Sequence, residues 1–310
     1  MSNSLYHIRN YRHADFDEYA LLLIEAEKLE PTGRFISLKV LRESLYRPNY
    51  SSERDLFIIE THGNVVGYME VTPEADIGRI IVNCFILPDH RRKGLDRELL
   101  GHAMCRAKET GVKVTHINIP QGNEAAEKVL SRLDFKPVRS FLQLRLDVTQ
   151  GCCPDVNATL LEYHHMQRGE EDKLAEIQNR SFAGTWGYKS NAVEEIVYYT
   201  NVGDCSPEDV ILAFNGDKVI GYCWTQLSCE TEADTEERKG RIFMLGVEPD
   251  FRGRGVGRGV LLAGLYYLNS KGVQVAELTV DSENEAACAL YRSIGFKRWS
   301  SNLWYEKAVV

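Results

Sequence analysis

The stretch NEAAEKVLSRLDFK begins at Asn123, and NEAACALYRSIGFK begins at Asn284, 161 positions later. Arg252 follows Arg91 by the same interval. Self-similarity at so long a period marks a duplicated domain rather than a solenoid. Upstream, GNVVGYMEV and GDKVIGYCWTQ align Gly67 with Gly221, only 154 positions apart, so the second copy gains seven residues between the landmarks. The acidic stretch CETEADTEERKG (229–240) is their expected place, as a solvated loop between two strands. A chain of 310 residues suits two domains of ordinary size. The expectation is one domain over 1–148, a linker over 149–157 and a second domain over 158–310. VTQGCCPDVN carries turn residues and no apolar period at the join.

Both copies follow one pattern. A short strand precedes an amphipathic helix (about 14–28, then 170–182), and a second helix lies near 37–47 and 191–200. Two strands then flank a turn, at His62-Gly63-Asn64 and Asn215-Gly216-Asp217. A third strand leads into a loop rich in arginine and glycine. After it come a helix, a short strand, a further helix and a closing strand. The fold class this predicts is α/β, a mixed sheet with helices on both faces in each copy.

Composition excludes more than it assigns. Net charge is −8, which disfavours a nucleic-acid partner. No apolar run approaches the roughly 20 residues of a membrane span, and MSNSLYHIRN has no apolar core for export, so a cytoplasmic location is expected. The eight cysteines form no CxxC pair, so no metal site is expected.

The loop FRGRGVGRGV (251–260) stands between a predicted strand and a predicted helix. The first N–H groups of such a helix are unpaired donors at the positive end of its dipole, where a phosphate fits. Gly253, Gly255 and Gly257 permit close backbone approach, and Arg252, Arg254 and Arg258 offer charged donors. The spacing is neither the Rossmann GxGxxG nor a Walker loop.

Arg252-x-x-Gly255-x-Gly257, followed by Asn284, Ala287, Leu290-Tyr291 and Gly295-Phe296, resembles the GNAT superfamily of acyl-CoA-dependent N-acetyltransferases. The resemblance covers about 158–310 well. It implies two tandem GNAT domains, with an arrangement similar to the mycothiol-synthase-like group, and acetyl-CoA as cofactor. It assigns Leu245, Gly246 and Val247 to the strand that pairs with the pantetheine arm. Arg252, Gly253, Arg254, Gly255, Val256, Gly257, Arg258 and Asn284 would hold the rest of the cofactor. Tyr291 resembles the general acid, since a phenol stays protonated at neutral pH and can donate to a departing thiolate. Asp281 is the candidate base, acting through water. Glu248 also lies nearby and is expected to be solvated. The position where several family members carry a basic glutamate is Arg241, which cannot accept a proton and suggests either an acidic group on the substrate or acyl donor, or a loop-end ion pair with Glu236 or Glu237. Trp186 and Tyr188 are candidates for the acceptor wall.

The first copy departs from this pattern. Where the second has Gly257 it has Asp96, whose charge would repel a pyrophosphate, and Leu130 stands where Tyr291 is expected. The first domain is therefore expected to be non-catalytic. The expected function is acetyl transfer from acetyl-CoA to a primary amine of a small molecule, by a monomer or homodimer. A protein or peptide acetyltransferase, with Glu230, Glu232 and Asp234 lining a groove, and a non-catalytic acyl-CoA sensor remain alternatives.

Overall fold

The computed structural model describes residues 5–30, 37–149, 161–231 and 238–309. The chain forms two compact units. One holds the chain up to Val138 together with everything from Leu303 onward, and the other holds Arg139–Asn302.

The first unit runs β1 (His7–Asn10), α1 (Phe16–Leu29), α2 (Leu38–Ser44), a single turn α3 (Ser52–Asp55), β2 (Leu56–Thr61), β3 (Asn64–Glu74), β4 (Arg79–Ile86), α4 (Leu95–Thr110), β5 (Val114–Pro120) and α5 (Glu124–Arg132). Its strands stand in the order β1-β2-β3-β4-β5. The pairs are antiparallel except β4 with β5, which is parallel. One face packs on α4 through Leu95, Leu99, Ala103 and Ala107, and the other on α1 through Phe16, Tyr19, Ala20 and Leu22.

Next in the chain is β6 (Lys136–Asp147), which falls from Arg139 onward in the second unit. That unit continues with β7 (Glu162–His165), α6 (Glu171–Phe182), α7 (Val193–Tyr199), β8 (Val210–Asn215), β9 (Lys218–Thr231), β10 (Arg238–Val247), α8 (Val256–Ser270), β11 (Val275–Asp281) and α9 (Glu285–Ile294). Its strand order is β6-β11-β10-β9-β8-β7. Helix α8 buries Val256, Val260, Leu261, Leu265 and Leu268 against one face, each at most 3% exposed. Each such burial contributes about 1.5–3 kcal/mol. The helix sits close because Gly264 and Gly221 lie at the contact. A Cβ on Gly264 would stand 2.4 Å from Cys223 Sγ, and one on Gly221 would stand 2.8 Å from Val256 Cγ1. The other face carries Tyr222, Trp224 and Met244 beneath α6 and α7.

The chain leaves the first compact unit within β6, after Val138, and re-enters it from Leu303. β6 closes the first repeat in sequence, yet it pairs with β11 from Val275↔Asp147 to Asp281↔Phe141. The last strand, β12 (Lys297–Ala308), lies beside β5, and its residues from Leu303 belong to the first unit. Tyr305 is buried there with Ile119 and Leu130. The repeats have exchanged their closing strands, which duplication makes interchangeable in pattern. Most of the expected linker, residues 150–157, lies outside the described residues.

Candidate active site

β10 pairs in parallel with β11 from Lys239↔Val275 to Ile242↔Leu278, and there the pairing ends. β11 continues to Asp281 beside β6, while β10 continues to Val247 beside β9. The strands part as a wedge, and no described strand pairs with the β11-facing edge of residues 243–247. The register between β9 and β10 also shifts, from Ile242↔Thr225 to Met244↔Trp224, so Phe243 is an extra residue forming a bulge. A bulge unpairs and re-aims backbone groups beside it. In the first unit β4 leaves β5 after Val82↔Ile117, but its register with β3 runs unbroken from Glu74↔Arg79 to Gly67↔Ile86. The seven-residue surplus therefore divides. Ile242 follows its counterpart Val82 by 160 and Val247 follows Ile86 by 161, so six extra residues precede Ile242 and the seventh is Phe243. Residues 232–237 of the acidic stretch, and the side chain of Glu230, lie outside what is described.

Beyond β10 the chain enters the glycine-arginine loop. Gly253 (φ 72°) and Gly255 (φ 84°) are left-handed, and α8 starts at Val256 with Gly255 as N-cap. Glycine has no side chain to cap the helix, so its first amides stay open to an anion. Gly257 is inside the first turn. The arginines differ in duty. The guanidinium of Arg252 donates to Val247 O (3.3 Å) and Ser181 O (2.6 Å), tying the loop to β10 and α6. Arg91 makes the same bond to Ile86 O at 2.7 Å. Arg254 lies over the Phe251 ring at 5.3 Å, and Arg258 donates to Ser293 Oγ at 3.1 Å; both are exposed. Gly246 is required by packing, since a Cβ there would stand 2.4 Å from Tyr222 Cε1 and 2.8 Å from Ser181 Cβ. Leu245 and Val247 pack instead on the α8 face.

Glu248 is not solvated as expected. It is 1% exposed and paired with Arg180 and with Lys218, the latter at 3.4 Å, and it has no counterpart in the first unit, where Leu87 occupies the position.

Tyr291, on α9, is 7% exposed with its ring edge-on to Phe296. Burial raises its phenol above the ordinary value, so the hydroxyl keeps its proton. Its hydroxyl has no hydrogen-bond partner among the described residues. Cys288 on the same helix is buried, and its thiol contacts Asp281 O at 3.7 Å. Asn284 caps α9 by accepting from Ala287 N at 3.1 Å, which leaves its amide nitrogen for a ligand.

Asp281 is poorly suited to the expected role of base. Arg139 Nε donates to both carboxylate oxygens, at 3.1 and 2.9 Å, and Glu283 N donates to Oδ1 at 3.0 Å. Taking up a proton would break this charge-assisted pair. Arg139 also bonds Glu283 at 2.5 Å and lies 5.8 Å from the Trp186 ring.

On the face of the sheet opposite α8, strand alternation places Arg241, Phe243, Glu277, Thr279 and Asp281 together. Arg241, Phe243 and Thr279 are exposed there, with Phe243 at 39%. Arg241 Nη2 donates to Thr279 Oγ1 at 3.1 Å. Trp186 closes one end of this face, with its ring 5.9 Å from Phe141. Tyr188, half-buried, is held in place by its neighbours. Its hydroxyl donates to Asn179 Oδ1 at 2.8 Å and accepts from Asn191, its ring stacks on Phe182, and burial pushes the phenol up to about 12.

The corresponding parts of the first unit are altered. Gly94 (φ 81°) starts α4, but Arg92 (φ 62°) must take the left-handed conformation that Gly253 takes freely. Asp96 lies in the first turn of α4, and Arg132 on α5 answers it at 2.5 Å. An internal ion pair occupies the end of the helix where an anion would be held.

A bulged strand in an open wedge leads into an uncapped glycine loop at a helix start, an arrangement with unpaired backbone donors suited to an extended ligand that carries an anion. A model of the acetyltransferase (GNAT) family matches residues 21–135 and 172–296, and the chain belongs to that family, with two domains of it in tandem. It is an N-acetyltransferase that uses acyl-CoA. The mycothiol acetyltransferase of Actinosynnema mirum is 27% identical over 301 residues, covering 93% of this chain and 94% of that one. The mycothiol acetyltransferase of Amycolatopsis mediterranei is 30% identical over 254 residues, covering 79% and 81%. Among solved structures, a tandem GNAT protein from the clavulanic acid biosynthesis pathway has a TM-score of 0.75 at 15% identity, covering 98% of this chain and 99% of that one. A GCN5-related N-acetyltransferase from Sphaerobacter thermophilus has a TM-score of 0.72 at 20% identity, covering 100% and 97%. No helix among the described residues is long and apolar enough to cross a membrane.

Proposed function

We propose that the second unit alone transfers an acetyl group from acetyl-CoA to a primary amine of a small molecule, with Tyr291 as general acid. The observation that carries this is a conjunction. The Phe243 bulge, Gly257 in the helix start and the Tyr291 phenol all occur in the second unit, and all three are replaced in the first. The mycothiol acetyltransferases similar to this chain support a small-molecule acceptor.

Acetyl-CoA supplies an activated thioester. The open β10 edge at Leu245, Gly246 and Val247 offers backbone partners to the pantetheine amides, and an amide freed beside the bulge can donate to the thioester oxygen. The first-turn amides of α8, from Val256 on, hold the diphosphate, with Gly253 and Gly255 shaping the approach and Arg254 and Arg258 supplying charge. Arg252 acts by positioning the loop. Asn284 offers its amide nitrogen beside α9. Tyr291 returns a proton to the departing sulfur. Deprotonating an amine of pKa about 10.4 at pH 7 costs roughly 4–5 kcal/mol, and water in the open face can accept that proton. Asp281 serves by holding Arg139 against Trp186. The first unit keeps the fold without the donor site.

Thiol release from acetyl-CoA, followed across a panel of primary amines, tests this. Tyr291→Phe is expected to lower kcat by about 10²–10⁴-fold with acetyl-CoA affinity unchanged. An undiminished kcat would remove Tyr291 from the mechanism.

A further inference from the structure

Glu248 stands between Val247, the end of β10, and the turn that leads into the glycine-arginine loop. Its amide donates to Ile220 O at 2.9 Å, and its carbonyl accepts from Phe251 N at 2.9 Å. In the first unit Leu87 makes the same two backbone bonds, donating to Val66 O at 3.0 Å and accepting from His90 N at 2.9 Å. The course of the backbone therefore does not require a carboxylate here. What the carboxylate adds is a link to other elements. Oε1 accepts from Arg180 on α6, and Lys218 on β9 lies 3.4 Å away. Lys218 also stands 5.8 Å from the Phe251 ring, on which Arg254 of the loop rests. Arg252 makes a second tie, from the loop to Ser181 O. Two adjacent residues of α6, Arg180 and Ser181, thus hold the mouth of the loop.

This carboxylate is poorly placed to stabilise the fold. It is 1% exposed, and its Oε2 is buried with no hydrogen-bond partner among the described residues. Ion pairs to long, solvated side chains return only part of the cost of such burial. The side chains of Arg180 and Lys218 are 46% and 48% exposed, and a cavity of about 210 Å³ beside them gives both room to hydrate without Glu248. Resting on the reading that the loop holds the diphosphate, we propose that Glu248 is a positioning residue for acetyl-CoA. It touches no substrate. By tying the loop to α6 it orders the first amides of α8 before the diphosphate arrives, and a site ordered in advance binds more tightly.

The test combines calorimetric titration of the full chain with acetyl-CoA, thermal melting and steady-state rates. Glu248→Leu, which installs the residue of the first unit, is expected to raise the Kd for acetyl-CoA about 10-fold, the scale of one charge-assisted hydrogen bond. Its kcat at saturating acetyl-CoA should hold, and its melting temperature should be no lower than the parent's, as for an apolar replacement of a buried ion pair. Glu248→Gln, which keeps the shape and an acceptor, should fall between. Arg180→Leu should also weaken binding, and the double variant Arg180→Leu/Glu248→Leu should be no weaker than Glu248→Leu alone, because the two act as a unit. An unchanged Kd in Glu248→Leu, while Gly257→Asp still weakens binding, would overturn the proposal and leave the loop reading intact. So would a Glu248→Leu protein that binds weakly but also melts earlier, since lost stability would then account for the effect. A Gly257→Asp protein that binds acetyl-CoA as tightly as the parent would overturn the loop reading itself, and the proposal with it.

Discussion

Replacing Gly257 by aspartate writes the chemistry of the first unit into the second. The backbone permits it: a Cβ at Gly257 would meet Val247 Cγ2 at 3.4 Å and Leu290 Cδ2 at 3.5 Å, ordinary contacts. The carboxylate would enter the first turn of α8, where the helix dipole favours it by about 0.3–1 kcal/mol, so the fold should be kept. The bound diphosphate would not be. A unit charge about 4 Å from another at an effective dielectric near 20 costs about 4 kcal/mol, and each 1.4 kcal/mol is roughly a tenfold change in Kd. Asp96 escapes an equivalent conflict because Arg132 neutralises it, whereas the counterpart of Arg132 is Ser293, already bonded to Arg258. Calorimetric titration should show acetyl-CoA affinity reduced by about 100–1,000-fold, with a melting temperature close to that of the parent. Adding Ser293→Arg should rebuild the ion pair of the first unit without recovering affinity. An unchanged Kd in a folded Gly257→Asp protein would refute the assignment of the loop to the diphosphate.

Gly246→Ala should destabilise the second unit by about 1–3 kcal/mol through overpacking against Tyr222 and Ser181, read as a melting temperature lower by several degrees; an unshifted melt would show that α6 can move aside. Asp281→Asn should release Arg139 and lower thermal stability, yet leave the acid limb of kcat/KM against pH where it was. Loss of a titration from that limb would reinstate Asp281 as the base. Tyr291 must be protonated to act, and burial raises its folded-state value above the unfolded one. Activity should therefore not decline through its ionisation as pH rises to 10, and a falling limb near pH 9 that disappears in Tyr291→Phe would contradict this. The same shift makes stability decline only as pH climbs past the ordinary phenol range.

Much of this was legible in the residues because it is local. Apolar period, turn dipeptides and an uncapped glycine helix start are short-range signals, and they place α1, α6, α8 and the loop at 251–260 within a few residues. What escaped was decided by partners far away in sequence. Asp281 reads as a candidate base until Arg139, 142 positions earlier, is seen to bind both its oxygens. Glu248 looks solvated until α6 brings Arg180 over it. The partners of the Tyr188 hydroxyl, Asn179 and Asn191, could not be read from the sequence either. The strand exchange escaped because the two closing strands share one apolar alternation, and a pattern cannot say which neighbour a strand will choose. The bulge was present in the count, as one of seven surplus residues, but an acidic loop is the cheaper place for an insertion. Comparing the intervals on either side of each strand pair would have exposed it.

The central claim is that one donor site exists per chain, in the second unit, and that the first unit has lost its own to Asp96 and Arg132. Titrating the full chain with acetyl-CoA and reading the stoichiometry tests it most directly. The account predicts one site per chain, weakened about 100–1,000-fold by Gly257→Asp and untouched by Asp96→Ala. Two sites per chain would contradict it.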